Sequence, residues 1–177
     1  MSSTQNSPVI LAIDPGTREL GFAVLQGETL LYYGVKTVTN RKAPSQVLET
    51  ISGFIKGLIE KYDPSTLAIE KMFITQKNSA LLYVAAEQVK AVAGEGKISI
   101  WEQSPSAIRK RLCHTGKATK REVAKLIADR YPELARYYNR TQHWEIEYYS
   151  NLLDAVAVGL VCLEDTNQAK LTVNQTE

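Results

Sequence analysis

Three observations predict a mixed α/β domain built on a five-stranded sheet, antiparallel in its first three strands and parallel thereafter. Three short apolar segments follow one another in the first 38 residues, joined by turns too short to hold a helix. Each of the two later apolar segments is preceded by a helical stripe, the arrangement that carries a helix across a sheet between parallel strands. The chain has 177 residues, 44% hydrophobic and 23% charged, which suits one domain over positions 1–177.

Pro8 to Asp14 (PVILAID) is an apolar run that ends in a carboxylate and reads as a buried strand. After the turn Pro15-Gly16-Thr17, Leu20 to Leu25 reads as a second strand. Leu30 to Val38, rich in aromatic and β-branched residues, reads as a third. Gln26-Gly27-Glu28 is a hairpin connection, so the three form a meander. Pro44 opens a helix, where its missing N–H costs nothing, and Val47, Leu48, Ile51, Phe54, Ile55, Leu58 and Ile59 make its apolar stripe.

Asp63-Pro64 stops that helix, and Thr66 to Glu70 (TLAIE) is a fourth strand, again ending in a carboxylate. A helix from Asn78 to Ala93 follows, capped by Asn78 or Ser79, and Ile98 to Trp101 is the fifth strand. Ser104-Pro105 starts a short basic helix, Thr119 to Arg130 is another, and Ser150 to Leu163 is the last. The polar ends, 1–7 and 166–177, are expected to be flexible.

Composition excludes several classes. The apolar runs are short and broken, so no membrane span is expected, and the polar opening MSSTQNS lacks the parts of a secretory signal. Cys113 and Cys162 form no metal-spaced pair and, with only two histidines, argue against zinc; they read as reduced thiols in a cytosolic protein. Net charge is only +2. Its distribution is more informative: Arg109, Lys110, Arg111, Lys117, Lys120 and Arg121 form a window with no acid, while the rest of the chain carries 15 Lys and Arg against 19 Asp and Glu. One basic segment on a mildly acidic body is the footprint of a phosphate-binding surface.

Asp14 and Glu70 each close a hydrophobic strand, where open sheets present their ligand crevice. Asp154 lies in the apolar sequence LLDAVAVGL, so its carboxylate needs a partner. Three converging carboxylates suit a hard cation such as Mg²⁺, and two such ions roughly 4 Å apart serve phosphodiester hydrolysis. An all-oxygen site again argues against zinc.

IDPGTRELGFAVL resembles the opening motif of the RuvC-like Holliday-junction resolvases, the crossover junction endodeoxyribonucleases of the RNase H-like superfamily. Sugar kinases and actin-like ATPases share that turn, but they need a second domain and a second glycine-rich phosphate turn, and this chain has neither. AIEKMFITQKNSALLYVAAEQ, PSAIRKRLCHTGKATKREVAKLI and LLDAVAVGL resemble three further motifs of the family in its own order, covering Val9 to Leu163.

The resemblance implies an RNase H-like fold and a Mg²⁺-dependent endodeoxyribonuclease. It would resolve four-way junctions in recombination and repair, with two ions per site and Mn²⁺ able to substitute. It assigns metal binding to Asp14, Glu70 and Asp154, and a catalytic-face position to Lys120. Arg109 stands where the family has lysine, which keeps the charge and alters donor geometry. Phe73, three residues after Glu70, is expected to stack on unpaired bases at the branch point.

The resemblance also implies a homodimer, a branch-migration helicase complex as partner, and a bacterial cytoplasm at the nucleoid. Leu81, Leu82, Val84, Ala85, Val89 and Val92 are too many apolar residues for one narrow helical stripe, so part of that surface is expected to meet a second subunit. One departure stands out: the family has Asp or His three residues before the last Asp, and here that position is Asn151. Its amide oxygen can join the metal set as a neutral ligand, and Glu147 would substitute only if the last helix begins early enough. Asn151 also motivates a second reading, a junction-binding protein with weakened or lost nuclease.

Overall fold

The computed structural model describes residues 7–38, 43–72 and 80–173. Strands β1 (Val9–Asp14), β2 (Glu19–Gln26) and β3 (Thr29–Thr37) form the expected antiparallel meander. Strands β4 (Thr66–Glu70) and β5 (Ser99–Gln103) continue the sheet on the other side of β1 in parallel, giving the order β3-β2-β1-β4-β5.

Helix α1 (Pro44–Tyr62) begins on its proline and ends at Asp63, a left-handed cap with φ 45° whose N–H donates to the Ile59 carbonyl. Helix α2 spans Ala80–Glu95; its expected caps, Asn78 and Ser79, lie outside the described residues, as does Phe73. Helix α3 (Pro105–Cys113) is capped by Ser104, whose hydroxyl accepts from the Ala107 N–H. Helix α4 (Lys120–Arg130) is followed by a 3₁₀ turn at Pro132–Leu134 and by α5 (Ala135–Tyr138), neither of which the sequence pattern revealed.

Alternation along the strands divides the core in two. Leu11, Ile13, Leu67 and Ile69 face α1 and α2, whereas Ile10, Ala12, Ala23 and Ala68 face the opposite side. There the last helix, α6 (His143–Val173), lies against the sheet through Leu152, Val156 and Leu160. Small residues let it come close. A Cβ on Gly159 would sit 2.5 Å from Leu25 Cδ1 and 3.0 Å from Ala12 Cβ, and one on Gly21 would sit 1.9 Å from the Asn151 carbonyl oxygen.

The bounds of α6 correct the expectation of a last helix from Ser150 to Leu163. Tertiary contacts extend the helix at both ends. Before Ser150, the Tyr148 hydroxyl lies 3.2 Å from Thr37 Oγ1 on β3, and Glu145 pairs with Arg140 at 3.1 Å. Beyond Leu163, Arg111 on α3 pairs with Asp165 at 3.0 Å and donates to Gln168 Oε1 at 2.7 Å. The result is one helix long and apolar enough by composition to cross a membrane, although it serves as the core helix, with Leu152, Leu153 and Ala155 to Leu163 buried.

Helix α4 starts on a reciprocal box: Thr119 Oγ1 accepts from the Glu122 N–H, and Glu122 Oε2 accepts from the Thr119 N–H at 2.7 Å. That backbone bond holds the Glu122 carboxyl below its usual range. Thr119→Ala is expected to cost about 1 kcal/mol, read as a melting temperature lowered by a few degrees.

Candidate active site

Ile13 and Ile69 are register partners across the parallel β1–β4 pair, so Asp14 and Glu70 come next to each other at the strand ends. Adjacent strands are roughly 4.8 Å apart, and two positions in register point to one face. Counting alternation from Ala12 and Ala68, that face is the one covered by α6. Asp154 is on α6, and Lys120, the first residue of α4, donates to Asp154 Oδ2 at 2.6 Å. Arg109 on α3 completes the wall: Glu70, Arg109, Lys120 and Asp154 line one crevice of about 20 Å³, room for a water or so.

The electrostatics follow from this crowding. Burial pushes the Asp14 carboxyl well above the usual carboxylate range, the Asp154 and Glu70 carboxylates push it further, and Lys120 pulls it back. Burial and Asp154 raise Glu70 to about 7 against the opposing pull of Lys120 and Arg109. Partial desolvation opposes the Lys120 ammonium, but Asp154, Asp14 and Glu70 outweigh it and raise Lys120, whose side chain remains 66% exposed.

Among the described residues no three acidic, His or Cys side chains are drawn tightly enough together to hold an ion as they stand. Lys120 engages Asp154 instead. The donor chemistry nevertheless fits a divalent cation: the set is all oxygen, and its carboxylates are desolvated and mutually repelling, a cost that a shared cation offsets.

Asn151 is half-buried on α6, one turn before Asp154, with its backbone carbonyl packed against Gly21. Gly21 is the register partner of Asp14, which sets Asn151 beside the carboxylates. Helix α6 begins early enough to include Glu147, but that side chain is 80% exposed and lies 4.0 Å from His143 Nδ1. The helix thus meets the condition set for Glu147 to substitute, while that side chain points to solvent beside His143.

Residues 10–134 match the family model described as Crossover junction endodeoxyribonuclease RuvC. The chain belongs to the RuvC family. The RuvC protein of Akkermansia muciniphila is 30% identical over 124 residues, 67% of this chain and 74% of that protein. Thermus thermophilus RuvC superposes with a TM-score of 0.70 at 23% identity, over 86% of this chain and 91% of that one. The same protein in complex with Holliday junction substrate gives a TM-score of 0.68 at 22% identity, over 86% and 90%. The fold is therefore RNase H-like, and the family is one of metal-dependent nucleases that hydrolyse DNA.

Against this background the basic segment proves to be divided. Arg109 and Lys120 face the carboxylates. Arg121 lies over the Tyr138 ring at 5.8 Å, on the other side of Lys120. Lys117 is exposed on the loop before α4. Lys110 and Arg111 line a separate, larger hollow, and Arg111 is spent on Glu164, Asp165 and Gln168. The structure thus turns Arg111 away from the crevice, because carboxylates of α6 reach it first. Neutralising Lys117 and Lys120 together is expected to flatten the salt dependence of DNA binding by about 0.9 log unit per lost phosphate contact. Arg111→Ala is expected to leave that slope unchanged and to lower the melting temperature modestly, since partly exposed pairs are worth about 1 kcal/mol or less.

Two features escaped the sequence reading. Gln103, the register partner of Glu70 on β5, sits beside the crevice. The second is a set of rings at Tyr137, Tyr138, Tyr148 and Tyr149, for which the signal was present: four of the nine tyrosines of the chain occur as two adjacent pairs 11 residues apart.

Proposed function

We propose that this chain resolves four-way DNA junctions by paired, Mg²⁺-dependent phosphodiester hydrolysis. The observation that carries the reading is the meeting of Asp14, Glu70 and Asp154 with Lys120 at the end of the sheet. The three carboxylates are the residues that would hold the metal, with Asn151 as a neutral fourth. Bound divalent ions supply activation of water and neutralisation of charge at the scissile phosphate. Lys120 contributes a positive charge that transfers from Asp154 to a phosphoryl oxygen as the strand enters. Arg109 holds the strand from the opposite wall.

Pairing of the two cuts calls for two copies. Ala85, Val89 and Val92 of α2 are consumed by the core, but Val84 is 43% exposed and Leu81 and Leu82 are only half-covered, which supports a homodimer through that face. A branch-migration helicase as partner and a place in the bacterial cytoplasm belong to the same reading, on the strength of the family resemblance alone.

With all three acids and Lys120 in place, a junction binder lacking nuclease is not favoured. The test is nicking of a synthetic four-way junction across a Mg²⁺ series, parent against Asn151→Asp. An active parent is expected, with half-maximal Mg²⁺ severalfold lower in the variant, because a carboxylate offsets cationic charge that an amide does not. Equal metal requirement and rate would remove Asn151 from the metal set. A parent inactive at every Mg²⁺ and Mn²⁺ level would overturn the nuclease.

A further inference from the structure

Immediately beside the crevice is a second hollow that the nuclease chemistry does not use. It runs between the start of α4 and the α5–α6 segment, and it shares Lys120 and Asp154 with the crevice. Tyr137, Tyr138 and Ile146 form its apolar walls, and Lys120, Arg121 and Arg140 supply the cations around it. At about 90 Å³ it is roomier than the crevice, where about 20 Å³ admits little more than a water. Resting on the function proposed above, we infer that this groove takes an unstacked nucleobase of the DNA strand being cut, making Tyr137, Tyr138 and Ile146 a base-binding subsite.

The first argument is position. A strand whose phosphate reaches Lys120 must pass its next nucleotide over a neighbouring surface, and the groove begins at that same lysine. The second is chemistry. Flat apolar walls beside arginines are what unpaired nucleotides bind, through ring stacking and phosphate contact together. The acids nearby do not oppose this: Glu145 is paired with Arg140 at 3.1 Å, and Asp154, which gives up Lys120 to the strand, points with the carboxylates that would hold the metal.

The platform is also fixed in advance. Tyr137 packs on Tyr149 with centroids 4.7 Å apart and edge-on against Tyr33 at 6.4 Å, and Arg121 lies over Tyr138. Rings already held in place lose little conformational entropy when a base arrives.

A third, independent observation concerns Arg140. Its guanidinium is held over the Tyr149 ring at 5.4 Å, and its buried Nε–H has no acceptor among the described residues. Buried donors without acceptors are uncommon in native proteins. Arg140 also lines the groove, where its guanidinium offers N–H donors to the ring nitrogens and carbonyl oxygens of a base. Finally, the groove's α5–α6 wall lies beyond residue 134, where the match to the family model ends.

The test uses the full chain and a synthetic four-way junction with 2-aminopurine walked through the positions flanking the crossover, in a metal chelator so that no strand is cut. Parent protein is expected to change the fluorescence at one position near the nick site. Tyr138→Phe, which keeps the ring, is expected to retain that change. Tyr138→Leu and Ile146→Asp are expected to abolish it and to weaken junction binding roughly tenfold, the size of one lost base–ring stack. Ile146 is 44% exposed, so its replacement leaves the fold intact and keeps the result interpretable if Tyr138→Leu is unstable.

A response that survives in Ile146→Asp and Tyr138→Leu, or no response at any position, overturns the subsite. Nicking with Mg²⁺, measured in parallel, separates this outcome from failure of the proposed nuclease. A parent that nicks without a fluorescence response refutes the groove alone. A response lost in the variants of a parent that never nicks refutes the nuclease and upholds the groove.

Discussion

Replacing Asp14 by Asn is expected to give a protein that folds and binds four-way junctions but cuts them roughly a thousandfold more slowly. Asp14 ends β1 next to Glu70, under α6, where burial and two neighbouring carboxylates hold its proton affinity high. Asn keeps the shape and one carbonyl oxygen while removing the anionic one, so packing is preserved and the attraction for a divalent ion is lost. A carboxylate that repels Asp154 and Glu70 also disappears, so thermal stability in the absence of metal should hold or rise. Junction affinity should hold or improve, because a negative charge near the phosphates is gone. Single-turnover nicking, junction binding in chelator and a thermal melt, each against parent, check the three parts. Glu70→Gln should behave in the same way. Asp154→Asn should differ in one respect, since it also releases Lys120 from its 2.6 Å pairing and should therefore bind DNA more tightly. A parental cutting rate in any of the three would show that the residue changed holds no metal.

The difference between what was legible and what was not follows from the range of the interactions. Strands β1 and β4 could be read because burial on both faces writes itself as a continuous apolar run, and the carboxylate that ends each run marks the sheet edge. The starts of α1, α3 and α4 could be read because Pro44, Ser104-Pro105 and Thr119 with Glu122 are local signals. The extent of α6 could not, because Arg111 reaching Asp165 and Tyr148 reaching Thr37 are contacts across 54 and 111 positions of sequence. The basic segment was legible as charge but not as direction: helix geometry turns Arg109 to the crevice and Arg111 to α6. Phe73 lies outside the described residues, so its stacking role rests on the resemblance alone.

Gly21→Ala is expected to produce the largest loss of stability of any single methyl added to this chain's sheet. The added Cβ would sit 1.9 Å from the Asn151 carbonyl oxygen and 2.3 Å from its carbon, where ordinary contact begins at 3.4 Å. Both obstructing atoms are backbone, so no rotamer change relieves the clash. Helix α6 cannot simply retreat either, because Leu152, Val156 and Leu160 fix it to the core of the sheet. Overpacking of this kind costs about 3 kcal/mol or more, a fall of about 10 °C in melting temperature for a chain of this length.

The same methyl should damage the chemistry. Asn151 lies one turn from Asp154, and Gly21 is the register partner of Asp14, so prying them apart separates Asp154 and Lys120 from Asp14 and Glu70. A displacement near 1 Å in such a constellation costs on the order of a hundredfold in rate. Gly53→Ala supplies the opposite control: it lies inside α1 with nothing within 4 Å of the new Cβ. There alanine should raise stability by up to about 1 kcal/mol, since glycine is the poorer helix former. Melting curves and single-turnover nicking of the two variants beside the parent decide the matter. A Gly21→Ala protein that melts and cuts like the parent would mean that α6 does not lie against β2 at Asn151, and the placement of Asp154 beside Asp14 would fall with it.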